Sequence, residues 1–190
     1  MHAFSARYDA ALALAAVAHR AQLRKGSDVP YIAHAVAVSL ILLRHGYGED
    51  LCIAGLLHDV VEDTDVSAEA IAAQFGDDVA RLVAAVSETK RADGIELPWE
   101  ERKREGLAHL ALGGADVAAL KAADAIHNAR TTSIDLNVHG PSVWERFKRG
   151  PAETTWYYRQ ILGIVNTRIP GTPITAELAD AVAELALVAG

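Results

Sequence analysis

The tract Leu56-Leu57-His58-Asp59-Val60-Val61-Glu62-Asp63-Thr64 places four ionisable side chains in six positions, directly after an apolar run. Charge set against apolar surface is costly unless a cation or solvent satisfies it. On a helix, positions four apart share a face, which aligns His58 with Glu62 and Asp59 with Asp63. His58 and Asp59 are about 100° apart around the axis, so both can lean toward one point if that edge faces a pocket. A solvated helix end would account for Glu62 and Asp63 taken alone. It accounts poorly for His58-Asp59 behind Leu56-Leu57, where a bound cation is the better reading.

Two further candidates lie elsewhere. His34 sits in Pro30-Tyr31-Ile32-Ala33-His34-Ala35-Val36. A lone histidine in an apolar helix is more often a hydrogen-bonded core residue than a ligand. Asp124 sits in Lys121-Ala122-Ala123-Asp124-Ala125-Ile126-His127-Asn128-Ala129-Arg130-Thr131-Thr132. Inside that alanine-rich helix it needs a partner, which Lys121 can supply at the surface; Asn128, four positions on, faces the same side. Each of these plain readings stands when the residues are taken singly. Together, two imidazoles and two carboxylates suit a borderline-to-hard divalent metal that keeps positions open to water.

These residues have to be held by helices, because the pattern is helical almost throughout and no segment sustains period-2 alternation. A first helix is expected from about Ser5 to Leu23, with apolar residues around much of its circumference. A basic, glycine-containing loop, residues 24–29, leads to Pro30, a good first-turn residue. The second helix runs to roughly His45 with Gly46 as its stop, and a third spans about Glu49 to Glu62. Ser67 caps a short fourth helix ending at Phe75-Gly76, and residues 77–89 read as a fifth. Residues 91–98 form the clearest loop, with turn chemistry at Asp93-Gly94. Beyond it come a charged helix from about Trp99 to Gly113-Gly114 and a helix from an Asp116 cap to about Ile134. Pro141 starts another, interrupted at Gly150-Pro151, and residues 176–188 close the chain as an amphipathic helix. The expected fold class is all-α, with residues 1–190 forming one domain.

The composition sets bounds on function. A hydrophobic share of 51% excludes a disordered chain, and 23% charged residues is ordinary for a soluble one. The net charge of −7 argues against non-specific binding to nucleic acid or to anionic membranes. It leaves an anionic small molecule open, since a metal and a local basic cluster can reverse the sign inside a cleft. The single cysteine, Cys52, lies in an apolar helical pattern and reads as a buried, inert thiol. Trp156-Tyr157-Tyr158 reads as core packing rather than a base-stacking platform, with one ring able to line a nucleotide pocket. Neither a signal peptide nor an apolar stretch of the roughly 20 residues needed to span a bilayer is present, so a cytoplasmic location is expected.

Four blocks carry a specific resemblance. They are Ala18-His19-Arg20-Ala21-Gln22-Leu23-Arg24-Lys25, Pro30-Tyr31-Ile32-Ala33-His34, His58-Asp59-Val60-Val61-Glu62-Asp63-Thr64, and the stretch from Lys121 to Thr131, in that order. With them the chain resembles the HD phosphohydrolase superfamily, and within it the hydrolase domain of the RelA/SpoT family, especially the stand-alone small alarmone hydrolases. The likeness covers roughly residues 5–165. It implies a single HD-type helical domain, and at this length no synthetase or regulatory domain is expected.

By that resemblance His34, His58, Asp59 and Asp124 are the metal ligands, and Mn²⁺ is the usual ion. Glu62 and Asp63 are the acidic pair that positions and activates the attacking water. Arg24 and Lys25 occupy the phosphate-contacting position, and Asn128, Arg130 and Thr131 match residues near the nucleotide and metal. Lys103, in Glu101-Arg102-Lys103-Arg104, resembles a further phosphate contact, although a solvated charged face explains that block equally well. The implied reaction is metal-assisted release of pyrophosphate from the ribose 3′ position of ppGpp or pppGpp. The chain departs from the pattern at Ala35, where proline is common, and at Arg20-Ala21, where a glycine is usual. Ala122 and Ala125 replace bulkier or basic residues. These departures spare the ligands and bear on the nucleotide pocket. An adenosine alarmone or the 2′-phosphate of NADPH is the alternative substrate. A catalytically idle nucleotide-sensing module is the alternative of another class, and the intact acidic pair weighs against it.

Overall fold

Ser5 stands in extended conformation and its hydroxyl accepts the Tyr8 N–H, starting α1 (Ala6–Ala18) in the computed structural model, which describes residues 5–92 and 95–189. The helix ends well short of Leu23 because the chain turns at His19. The Gln22 N–H returns to the His19 carbonyl at 2.9 Å, and Leu23 pairs with Pro30 in an isolated antiparallel bridge. Pro30 therefore belongs to this bridge, and α2 (Ile32–Arg44) starts after it. Tyr8, Ala11 and Ala15 form the buried stripe of α1, whereas Val17 is exposed, so the apolar residues of this helix do not all serve the core.

Gly46, with φ of +78°, ends the α2 turn, and α3 follows over Glu49–Leu57. The expected continuous helix to Glu62 is interrupted at His58-Asp59, and α4 resumes over Val60–Asp63. The cause is local: the His58 Nδ1–H bonds the Gly55 carbonyl at 2.9 Å, competing for an acceptor that a continuing helix would use. Every residue of α3 from Leu51 to Leu57 is buried. This helix packs on α1 and α2, and also on α6 (Asp77–Val86), which α5 (Ala68–Phe75) covers in turn. A buried polar chain ties three of these helices together. The Tyr8 hydroxyl donates to Ser39 Oγ at 2.9 Å, and Ser39 donates to the Cys52 carbonyl at 2.8 Å. Fully satisfied, such a chain fixes helix register as well as packing.

Residues 1–97 form one compact unit and residues 98–190 another. Near the end of the first, β1 (Arg91–Ala92) pairs antiparallel with β2 (Ile95–Glu96), a small hairpin where a plain loop was expected. The Asp93-Gly94 turn lies outside the described residues. With only these short strands among the described residues, the all-α class holds.

In the second unit, α7 (Trp99–Leu112) precedes α8 (Ala115–His139), which is capped by Gly114 and not by Asp116, and which runs past Ile134. A 3₁₀ segment (Gly140–Arg146), α9 (Pro151–Arg168) and α10 (Pro173–Ala189) complete the unit. Small buried side chains on α8, among them Ala118, Ala122, Ala125 and Ala129, let α9 and α10 pack against it closely. Of the aromatic run, Tyr157 is buried and Tyr158 packs against the Leu136-Val143-Leu185 core, while Trp156 is largely exposed. Among the described residues no helix is long and apolar enough to cross a membrane.

Candidate metal centre and catalytic acids

The α2–α3 crossing brings together residues that are far apart in sequence. His34, 1% exposed, and His58, 3% exposed, point their Nε2 atoms at each other across 3.2 Å. Asp59 Oδ2 lies 2.9 Å from the His58 nitrogen and 3.6 Å from that of His34. A carbonyl only accepts, so the bond to Gly55 fixes the proton of neutral His58 on Nδ1 and leaves the Nε2 lone pair facing Asp59 and His34. One ligand atom from each of the three residues falls within 4.8 Å of the others. Two buried imidazole nitrogens and a carboxylate oxygen turned toward one point are a donor set that a divalent cation satisfies, and the residues fit one. Burial pushes the Asp59 carboxyl up, but when the adjoining His58 and His34 imidazoles are protonated, their charge and N–H bonds outweigh that and hold it well below its ordinary 3.8. Asp59 is thus a carboxylate ready to bind.

Tyr31, to which the sequence reading gave no role, donates its hydroxyl to the same Asp59 oxygen at 2.5 Å. Its ring stands edge-on to His34, with centroids 5.5 Å apart, and carries the Arg24 guanidinium 5.7 Å from its centroid. One side chain thus touches a proposed ligand, packs on another and supports the expected phosphate contact. Lys25, next along the loop, is exposed.

Glu62 and Asp63 lie just beyond the centre on α4. Glu62 Oε2 accepts the Glu88 backbone N–H at 2.9 Å, and Glu62 Oε1 is 3.1 Å from Lys90 Nζ. Lys90 also pairs with Asp63 Oδ1, while Asp63 Oδ2 accepts a hydrogen bond from Gln22 Nε2 at 2.8 Å. Burial raises the Glu62 carboxyl above its ordinary 4.5, and the Asp59 charge raises it further, against the opposing Glu88 N–H and Lys90. Lys90 itself is raised, because Asp63 and Glu62 outweigh its partial burial. No motif or spacing marks Lys90, which reaches Asp63 across 27 positions.

The remaining candidates lie in the second unit. Asp124, on α8, is held by Lys121 Nζ at 2.9 Å, as the plain reading of its surroundings anticipated, and by Asn128 Nδ2 at 2.5 Å. Arg130 is ion-paired with Glu177 of α10. Thr131 donates back to the His127 carbonyl at 2.9 Å. Lys103 stands over the Tyr157 ring, 4.6 Å from its centroid. His34, His58, Asp59, Glu62 and Asp63 are therefore gathered within the first unit, and Asp124, Lys103, Asn128, Arg130 and Thr131 are placed in the second.

A family model described as the HD domain matches residues 11–147. The chain belongs to the HD domain family. The Drosophila melanogaster guanosine-3′,5′-bis(diphosphate) 3′-pyrophosphohydrolase MESH1 is 38% identical over 148 residues, covering 76% of this chain and 78% of that protein. The Danio rerio protein of the same name is 38% identical over 68% of this chain and 69% of its own length. Among solved structures, one reported as a metazoan ortholog of SpoT that hydrolyses ppGpp superposes with a TM-score of 0.80. It is 31% identical and covers 96% of this chain and 97% of that one.

Proposed function

We propose that this chain is a metal-dependent 3′-pyrophosphohydrolase of guanosine alarmones, converting ppGpp and pppGpp to GDP and GTP with release of pyrophosphate. The observation that carries it is the His34-His58-Asp59 cluster followed immediately by the partly buried acids Glu62 and Asp63. The relatives of nearly the same length bear that activity in their names. In this reading Asp124 is the fourth ligand, Mn²⁺ the ion and the cytoplasm its setting. The two helical units together make up one HD domain.

Bound there, the ion would polarise the phosphoryl group and ease loss of a proton from the attacking water. The chain's own side chains do the rest. Glu62, its carboxyl raised by burial, takes the proton as the water adds to the phosphorus bonded to the 3′ oxygen. Asp63 orients the water. The phosphorus–O3′ bond breaks, the 3′ oxygen takes up the proton that Glu62 had accepted, and pyrophosphate leaves intact. Arg24, braced on Tyr31, and Lys25 offset the diphosphate charge; arginine suits the bidentate contact and lysine the point charge. Lys103, Asn128, Arg130 and Thr131 are the proposed nucleotide contacts.

The test is a panel of phosphorylated nucleotides with Mn²⁺, measuring released phosphate and pyrophosphate separately. Cleavage of ppGpp to GDP plus intact pyrophosphate is expected, with Arg24→Ala raising KM more than it lowers kcat. Much faster turnover of an adenosine 3′-diphosphate or of NADPH would overturn the guanosine assignment and leave the phosphohydrolase. Binding of ppGpp without turnover of any nucleotide would make the chain a sensing module.

A further inference from the structure

Behind the acidic pair lies a partly buried hydrogen-bond chain that the mechanism above does not use. His19 is 2% exposed, and its Nδ1 lies 2.7 Å from Gln22 Oε1. Gln22 in turn donates from Nε2 to Asp63 Oδ2 at 2.8 Å. The direction of the chain follows from its far end. A carboxylate only accepts, so Gln22 must turn its NH₂ toward Asp63, which leaves its carbonyl oxygen toward His19. His19 must then donate from Nδ1. Each bond dictates the next, and the amide is left with one self-consistent orientation.

The backbone around Gln22 is clamped to match. Its N–H bonds the His19 carbonyl at 2.9 Å, and its own carbonyl accepts the Tyr31 N–H at 2.9 Å. His19 also packs on the Tyr31 ring, with centroids 4.8 Å apart. Packing does not explain an imidazole here. The His19 Nε2 is buried without a hydrogen-bond partner among the described residues, a cost that a phenylalanine of similar shape would avoid. What phenylalanine lacks is the Nδ1–H.

We infer that Gln22 is a positioning residue that aims the Asp63 carboxylate, and that His19 sets the orientation of the Gln22 amide through Nδ1–H. This rests on the proposed role of Asp63 in orienting the attacking water. Lys90 holds Asp63 Oδ1 by charge from a half-exposed side chain, whereas Gln22 holds Oδ2 by a directed bond from a clamped one. Directional restraint on the second oxygen leaves the carboxylate plane little freedom to swing.

The experiment measures kcat and KM for ppGpp, bound manganese and thermal unfolding on the full chain loaded with Mn²⁺. It compares Gln22→Leu, His19→Phe, His19→Asn, Asp63→Asn and the Gln22→Leu/Asp63→Asn double variant. Loss of one hydrogen bond to a charged group predicts a fall in kcat of about tenfold or more for Gln22→Leu, with KM and metal content near wild type. His19→Phe, which keeps the ring packing, should fall by a similar factor. His19→Asn places an amide N–H near the Nδ1 position and should recover most of the rate. In the Asp63→Asn background, Gln22→Leu should add almost nothing, since its effect passes through that carboxylate. Nitrogen NMR of the imidazole in the metal-free protein should find the His19 proton on Nδ1, and on Nδ1 less completely in Gln22→Leu.

Wild-type kcat in Gln22→Leu or His19→Phe, with Asp63→Asn inactive, would overturn the inference and spare the proposed function. Equal losses in His19→Asn and His19→Phe would remove His19 from the chain. Losses accompanied by metal release or a lowered Tm would make both residues structural, and the inference would fail. A fully active Asp63→Asn would overturn the role of Asp63 and this inference together.

Discussion

A Cβ placed on Gly55 would lie 3.1 Å from the Ser39 Cα and 2.9 Å from Leu42 Cδ1, so α3 crosses α2 at a separation that leaves no room for a side chain there. This crossing carries His34 on one helix toward His58 on the other, and the Gly55 carbonyl also receives the His58 Nδ1–H. Gly55→Ala must push the helices apart or strain them. Overpacking of this kind costs about 1–3 kcal/mol, and the separation should weaken metal binding as well. Thermal unfolding and manganese titration of the variant check both. Unchanged values in both would mean that the crossing does not set the centre.

Tyr31→Phe removes the hydroxyl bound to Asp59 and keeps the ring beneath Arg24. Losing an outer hydrogen bond to a metal ligand weakens metal affinity about tenfold, while KM at saturating manganese should stay near wild type. Tyr31→Leu loses the ring too, so there KM should rise. Calorimetry with Mn²⁺ and steady-state kinetics separate the two effects. A Tyr31→Phe variant that binds manganese like the wild type would remove the hydroxyl from the account.

His58→Ala and Asp59→Ala should lose bound metal and turnover together, because each removes one of a few ligands. Glu62→Gln should keep the metal and lose turnover. Elemental analysis of the purified variants, set beside their rates, decides the point, and near-normal turnover in Glu62→Gln would end its assignment as the base.

Turnover should depend on pH through Glu62. Its carboxyl stands above 4.5, chiefly through burial, so the acid limb of kcat should have its midpoint above that of an exposed glutamate. Lys90 lowers the Glu62 value, and removing that cation must raise it. Lys90→Met should therefore move the acid limb toward neutral pH. A shift in the opposite direction would contradict the placement of Lys90 against this carboxylate.

Chelation should abolish hydrolysis, and Mn²⁺ should restore it better than Mg²⁺, since imidazole nitrogens are poor ligands for the harder ion. Full activity in metal-free protein would sink the mechanism. Best recovery with zinc would change only the ion.

Cys52 gives a check on the core that is independent of the site. Burial, helped by the charge of Glu49, raises its thiol to about 11. The native protein should be almost inert to a thiol reagent at mildly alkaline pH, and denatured chain should react at one thiol per molecule. Rapid labelling of folded protein would show that α3 is not packed as described.

The sequence by itself determined the helical class, since alanine-rich segments with helical periodicity and no alternation leave little else. It also determined which residue types carry the chemistry, because His58-Asp59 behind an apolar run is too costly to be idle. It identified His34, buried in an apolar helix, as a candidate, although the residue alone favours the plainer reading. What it could not supply was anything that depends on a helix ending early or on partners distant in the chain. The stop at His19 and the break at His58-Asp59 are made by bonds to carbonyls three residues away, which helical periodicity does not register. Lys90, Tyr31 and Gln22 join the acids and ligands only through tertiary contacts, and none has a charge pattern or spacing that singles it out. The facing of His34 and His58 was decided by the close α2–α3 crossing at Gly55, because two ring nitrogens on separate helices meet only where the backbones are allowed to approach.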